Sequence, residues 1–200
     1  MKLNKIEKAL MNNPLRALVQ RRYEAPLMER LGGRTEGLRV LEIGCGRGVG
    51  ADIIFNRFRA REVHAFDLDP NMIDQAKATL AGYSSDRLKL FVGDVAAIDA
   101  ADQMYDAVFD FGIIHHVPNW KRAVSEVARV LRPEGRFFFE EVTSHALNRW
   151  TYRTFLEHPR NDRFTGDQLI RELERHGIHV GANYLERFFG DFIIGVGRQL

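Results

Sequence analysis

The segment Val40-Leu41-Glu42-Ile43-Gly44-Cys45-Gly46-Arg47-Gly48-Val49-Gly50 constrains this chain most, because an apolar run breaks into alternating glycines and then resumes with helical spacing. It predicts a strand, a sharp turn and a helix start. Without a Cβ, the glycines let the loop turn with positive φ and let a ligand approach the backbone closely. The amides of the helix's first turn would face that ligand. Gly46-Arg47-Gly48-Val49-Gly50-Ala51 also fits the loose G-x-G-x-x-A form of a dinucleotide loop, so the glycines alone leave the ligand open. Glu42 narrows the choice. A carboxylate at the end of a buried strand is costly unless it meets amides, water or a cation. A pyrophosphate beside it would be repelled, whereas a ligand carrying an ammonium and a sulfonium would be attracted.

The periodicity of the rest predicts an α/β domain. Buried parallel strands are expected at Leu38–Ile43, Glu62–Phe66, Leu88–Val92, Ala107–Phe111 and Arg136–Val142. Helices are expected between them at Gly48–Phe58, Pro70–Ala81 and Trp120–Leu131, with Asp69 as N-cap and Pro70 at the first helical position. Thr165-Gly166-Asp167-Gln168 has the form of a capping box before a helix ending near Gly177. Two antiparallel strands, Ile178–Phe188 and Phe192–Val196, would then meet through Gly190-Asp191. The expected architecture is a doubly wound, Rossmann-like, three-layer α/β/α fold with a seven-stranded mixed sheet ending in an antiparallel hairpin. Residues 1–36 form an N-terminal helical cap, 37–143 the core, 144–164 a lid, and 165–200 the last helix and hairpin. Within the cap, Leu15, Leu18, Val19, Leu27, Met28 and Leu31 recur at amphipathic spacing, and Arg21, Arg22 or Tyr23 could close over a ligand.

Composition removes several classes. With 45% hydrophobic and 28% charged residues, the 200-residue chain suits a globular domain rather than a disordered one. A net charge of +2, without a block of like charges, gives no support for nucleic-acid binding. The single cysteine, Cys45, excludes an internal disulfide. No apolar run reaches the roughly 20 residues needed to span a bilayer, and the first residues lack a signal-peptide core, so a cytoplasmic location is expected, with peripheral membrane contact still open.

Ligands of open α/β sheets sit beyond the carboxyl ends of the strands. Acids mark three successive strand ends: Glu42, then Asp67 or Asp69, then Asp94 in Gly93-Asp94-Val95. Asp67 suits the two hydroxyls of a ribose, since an ionised carboxylate accepts two donors, and Asp69 suits the helix cap. Asp94 could accept from an adenine amine while the Val95 amide donates to the ring.

The fourth strand leads into Asp110-Phe111-Gly112-Ile113-Ile114-His115-His116-Val117-Pro118-Asn119-Trp120. Together with Val40–Gly50, Ala65–Pro70, Gly93-Asp94-Val95 and Leu131-Arg132-Pro133-Glu134-Gly135-Arg136, this segment resembles the small-molecule, type 11-like branch of the class I S-adenosylmethionine-dependent methyltransferases. The resemblance implies S-adenosylmethionine as cofactor, leaving S-adenosylhomocysteine as product. Glu42, Gly44, Cys45 and Gly46 would lie along its methionine part, with Asp67 on the ribose and Leu68 beside the adenine. Asp94 and Val95 would take the adenine edge, Asp110 and Phe111 would flank the methionine, and His115 or His116 would face the cleft.

Because a sulfonium already activates the methyl group, positioning and exclusion of water suffice for transfer unless the acceptor must lose a proton. Candidate bases are His116, His115, Glu140, Glu141 and His145, the two glutamates being expected in solvated or capping roles; no metal is invoked. Acceptor selection is expected in Thr143–Arg163, where Trp150, Tyr152, Phe155 and His158 interleave with Arg149, Arg153, Arg160 and Arg163. No Asn-Pro-Pro-Tyr type motif follows the fourth strand, which argues against a nucleic-acid base. The competing readings are an NAD(P)-dependent oxidoreductase using the same loop and a non-catalytic cofactor-binding module.

Overall fold

The computed structural model describes residues 13–147 and 163–200. The sheet contains β1 (Arg39–Ile43), β2 (Glu62–Asp67), β3 (Leu88–Val92), β4 (Tyr105–Phe111), β5 (Leu131–Val142), β6 (Ile178–His179), β7 (Tyr184–Arg187) and β8 (Phe192–Gln199). Their order is β3-β2-β1-β4-β5-β8-β6, with β7 also paired to β8. Strands β1 to β5 are mutually parallel and β8 runs antiparallel to β5. Chain direction across the sheet reverses between β1 and β4, and it is there that such sheets open a crevice at their carboxyl edge.

Helices α1 (Pro14–Val19) and α2 (Ala25–Gly32) are joined by a π-helical turn, Gln20–Glu24. They are followed by α3 (Val49–Asn56), α4 (Pro70–Thr79), a 3-10 turn at Ile114–His116, α5 (Trp120–Val130), the single turn α6 (Ser144–Leu147) and α7 (Gly166–Arg175). Asp69 caps α4 by accepting from the Asn71 amide. Thr165 and Gln168 form the reciprocal capping box at α7.

Alternation along β5 builds both faces of the core, because successive strand residues point to opposite sides. Phe137 and Phe139 pack with Trp120, Val124, Val127, Leu169 and Leu173 under α5 and α7. Phe138 packs with Met28, Ile54, Phe58 and Phe109 under α2 and α3. The Phe109 and Phe138 rings stack at 4.3 Å, with Phe58 edge-on to Phe109 at 4.7 Å.

Two expectations are corrected here. The predicted strand 178–188 is divided into β6 and β7, since Gly181 adopts φ of +55° and the chain detours through 180–183 before pairing with β8 again. The sheet therefore has eight strands rather than seven. Of the N-terminal apolar stripe, Met28 is buried and Leu27 and Leu31 pack on the core, but Leu15, Leu18 and Val19 are exposed. The π turn rotates the helix between the two groups, so one continuous stripe cannot face the core.

Removing the cap hydroxyl with Thr165→Ala should lower stability by about 1 kcal/mol in urea denaturation, with the fold retained. An unchanged midpoint would show that the box contributes nothing to α7.

Candidate functional site

A cavity of about 300 Å³ opens at the carboxyl ends of β1, β2 and β4. Glu42, Gly44, Cys45, Gly46, Asp67, Leu68, Asp94, Val95, Phe111 and His116 all line it, and Ala17 and Gln20 form its roof. Asp110 and His115 stand behind the wall rather than in it.

The glycine loop is held by the strand ends beside it. Gly44, at φ of +66°, leaves no space for a Cβ against the Ile113 side chain. Gly46 N–H donates to Asp67 Oδ2 at 2.9 Å, Cys45 N–H to the Phe66 carbonyl at 2.9 Å, and Gly48 N–H to the Cys45 carbonyl at 2.9 Å. These amides are thus already engaged within the protein. A phosphate cradle needs such groups turned outward, so the loop's hydrogen bonding argues against a pyrophosphate.

Glu42 is 2% exposed, packs where a Cβ on Gly50 would collide with it, and accepts from the Ala51 amide. Its Oε2 is buried with no hydrogen-bond partner. Burial, reinforced by the carboxylates of Asp67 and Asp110, pushes the Glu42 carboxyl well above the usual range. Asp67 Oδ1 accepts from the Asp69 amide at 2.9 Å and Asp94 Oδ1 from the Ala96 amide at 2.9 Å. The Cys45 thiol, buried and beside Glu42 and Asp67, is likewise pushed up and stays protonated.

The opposite wall is the loop 112–116, built on two buried acids. Asp110 Oδ1 accepts from Gly112 N–H at 3.0 Å and Ile113 N–H at 2.8 Å. Glu141 Oε1 accepts from Ile114 N–H at 2.6 Å, and its Oε2 from His115 N–H at 3.1 Å. Four successive amides therefore end on two carboxyl groups. Glu141 Oε2 also lies 2.5 Å from His115 Nδ1, and the His115 and His116 rings are 4.0 Å apart. The two buried carboxyls also act on each other, Glu141 raising Asp110 and Asp110 lowering Glu141. Burial raises both: Glu141 to about 8, and Asp110, with Glu141 adding repulsion, well above its ordinary value.

A second acid cluster fixes the roof. Arg16 on α1 donates through Nη1 to Glu24 at 2.5 and 2.6 Å and through Nη2 to Glu140 Oε2 at 3.1 Å. Burial, with Glu24 adding repulsion, raises Glu140 to about 8, and Arg16 opposes that shift. Glu140 Oε2 would stand 3.2 Å from a Cβ on Gly112, so this cluster abuts the cavity wall.

Glu140 and Glu141, expected in solvated or capping roles, are both buried: Glu141 caps the Ile114 and His115 amides, whereas Glu140 is neither solvated nor a cap but is paired with Arg16. His145 faces outward, with Nδ1 2.7 Å from Asp191 Oδ1. Of the expected lid residues, Arg21 pairs with Asp52 and Tyr23 with Arg187, while Ala17 and Gln20 face the cavity instead. Nothing in the sequence marked those two, because the π turn that sets their direction has no local signature. Trp150, Tyr152, Phe155, His158, Arg149, Arg153 and Arg160 lie outside the described residues. Arg163 donates to the Leu147 carbonyl at 2.9 Å.

Residues 41–139 match the family model described as a methyltransferase domain. A Mycolicibacterium smegmatis protein named "Probable S-adenosylmethionine-dependent methyltransferase" is 33% identical over 80% of this chain and 59% of its own length. The fatty-acid O-methyltransferase of the same organism is 35% identical over 53% of this chain and 38% of its own. The chain thus spans at most about three-fifths of the length of these curated relatives. Among solved structures, a chain of the complex containing the Haloferax volcanii Trm112 methyltransferase activator has a TM-score of 0.77 at 16% identity, covering 100% of this chain and 99% of that one. The PH0226 protein from Pyrococcus horikoshii OT3 has a TM-score of 0.72 at 19% identity, covering 95% and 93%. The matched domain is of the kind that S-adenosylmethionine-dependent methyltransferases carry. This chain belongs to the class I family of those proteins, in the type 11-like branch.

Acids whose carboxyls are raised bind protons in the folded state that the unfolded chain releases. Stability should therefore fall as pH rises from about 4 through about 8, the window between unfolded carboxyl values and those of Glu140 and Glu141. Asp110→Asn keeps the acceptor for Gly112 and Ile113 and supplies a permanent donor to Glu141. Urea denaturation at a series of pH values should show a shallower fall for this variant than for the wild type. Parallel curves would contradict a raised Asp110 carboxyl.

Proposed function

We propose that this chain transfers a methyl group from S-adenosylmethionine to a small-molecule acceptor by SN2 displacement. The observation that carries the reading is Glu42 Oε2, a buried carboxyl oxygen in the cavity wall that lacks a partner. An ammonium group would supply that partner, and its arrival would return Glu42 to the ionised form with release of a proton.

The remaining residues suit the rest of the ligand. Asp67 accepts from the Gly46 and Asp69 amides, and an ionised carboxylate at this strand end suits the two ribose hydroxyls. Asp94 and the Val95 amide would take the adenine edge, with Leu68 against its face. Gly44, Cys45 and Gly46 admit the methionine chain along the backbone, with Phe111 closing that side; Asp110 acts from behind by shaping the wall. S-adenosylmethionine bound there supplies a methyl group already activated by its sulfonium. The protein's task is to exclude water, hold the acceptor atom in line and, for an acceptor bearing a proton, receive that proton on His116. His115, held by Glu141, supports His116 from behind the wall.

The acceptor side offers Ile113, Val117 and Pro118 beside His116. That apolar wall, together with the fatty-acid O-methyltransferase among the relatives, supports an acceptor with an apolar body. The charge of the cleft supports the methyl donor over a dinucleotide.

Asp67→Ala should weaken S-adenosylhomocysteine binding by about 1 to 3 kcal/mol, roughly fivefold to 150-fold, in isothermal titration calorimetry. An unchanged dissociation constant would remove Asp67 from the site. With methyl-labelled S-adenosylmethionine and fractionated metabolites, the wild type should label an acceptor. His116→Gln should retain S-adenosylhomocysteine affinity while losing about a hundredfold or more in rate. Equal labelling by the variant would exclude His116 as the base.

A further inference from the structure

The β7–β8 turn carries two aromatic side chains where a hairpin gains least from them. Phe188 and Phe189 have φ of +53° and +60°, followed by Gly190 at +86°. Bulky L-residues avoid this left-handed region, and Asn and Gly are the residues that fill such turns without strain. Phe189 is 95% exposed and Phe188 63% exposed, although the Phe188 ring meets Phe192 edge-on at 5.8 Å. The fold therefore accepts both backbone strain and exposed apolar area at one tip, a combination that points to function rather than stability.

A second group of exposed apolar residues lies on α1, and the π-helical turn after it is hydrogen-bonded to the same hairpin. Leu15, Leu18 and Val19 recur at helical spacing on α1 and are exposed by 66%, 50% and 38%. Tyr23 Oη accepts from Arg187 Nε at 3.1 Å, joining the hairpin to the helical segment whose Ala17 and Gln20 roof the cavity. Arg22 is exposed on that segment, and Arg187 lies next to the phenylalanines. Arg21 is held by Asp52, Glu24 is buried against Arg16, and Glu186 is the exposed acid of the hairpin. Aromatic and aliphatic tips flanked by guanidinium groups match the chemistry of a lipid interface: apolar groups enter the acyl boundary and cations meet phosphates.

We propose that the Phe188–Phe189 turn, with Leu15, Leu18 and Val19 beside Arg22 and Arg187, docks this chain on an anionic bilayer surface. The docked face shares its helix with the roof of the cavity. An amphiphilic acceptor could then pass from the bilayer to the cavity without crossing open water. Docking depends on this outer surface alone and stands apart from the methyl-transfer reading.

Co-sedimentation of the full chain with vesicles tests it. Phosphatidylcholine vesicles containing about 30% phosphatidylglycerol should carry the wild type down, and pure phosphatidylcholine or about 0.5 M salt should reduce binding several-fold. Phe188→Asn with Phe189→Gly should lower vesicle affinity about tenfold while leaving the melting temperature unchanged or raised, because the turn is relieved of strain. In Phe189→Trp, added vesicles should shift the emission to the blue relative to wild type. Wild-type protein that stays in the supernatant, or equal binding by the double variant, would overturn the proposal. So would a lower melting temperature in that variant, which would give the two rings to the fold. A concentration-dependent dimer in sedimentation equilibrium that the double variant abolishes would assign the face to a second copy instead.

Discussion

Two buried carboxyl groups, Asp110 at the end of β4 and Glu141 near the end of β5, accept the four consecutive amides from Gly112 to His115. The wall of the cavity depends on this arrangement. A loop that turns away from a sheet edge leaves its N–H groups without strand partners, and burying them unsatisfied would cost about 1 to 3 kcal/mol each. Placing carboxyls at adjacent strand ends satisfies all four from beneath. It also sets the direction of the 3-10 turn that carries His116 to the cavity.

The same device recurs around the sheet's carboxyl edge. Asp67 holds the Gly46 amide, Asp94 that of Ala96, and Arg16 binds Glu140 and Glu24 to secure the roof. Glu42 Oε2 and Asp110 Oδ2 are buried without a hydrogen-bond partner among the described residues, and of these two acids it is Glu42 that lines the cavity. Concentrated acid at one edge raises carboxyl pKa values through burial and mutual repulsion. That cost favours a cationic ligand, whose charge offsets the repulsion. The proposed donor, with an ammonium and a sulfonium, has the right sign.

Much of this was legible in the sequence because the signals were local. Alternating apolar runs and caps such as Asp69-Pro70 and Thr165-x-x-Gln168 located the elements, and the parallel direction of β1 to β5 followed from their crossovers. Glu42, Asp67 and Asp94 converge because each follows a strand in a parallel sheet, which places all three at one edge. What escaped depended on contacts distant in sequence. Glu140 and Glu141 read as solvated or capping carboxylates at a strand end, yet both are buried, Glu141 under loop 112–115 and Glu140 against Arg16 of α1. Leu15 and Leu18 read as core residues, yet the π turn at Gln20–Glu24 changes the helix's phase and leaves them outside. No periodicity argument anticipates that insertion, or the interruption at Gly181 that divides β6 from β7.

The cavity's identity rests on which amides respond to the methyl donor's product. Titrating S-adenosylhomocysteine into isotopically labelled protein and following backbone amide shifts by NMR addresses it directly. Saturable shifts should centre on Gly44, Gly46, Leu68, Val95 and Gly112, with stoichiometry of one. Shifts scattered over other surfaces, or no response to S-adenosylhomocysteine where NAD produces one at this edge, would contradict the assignment of the cavity.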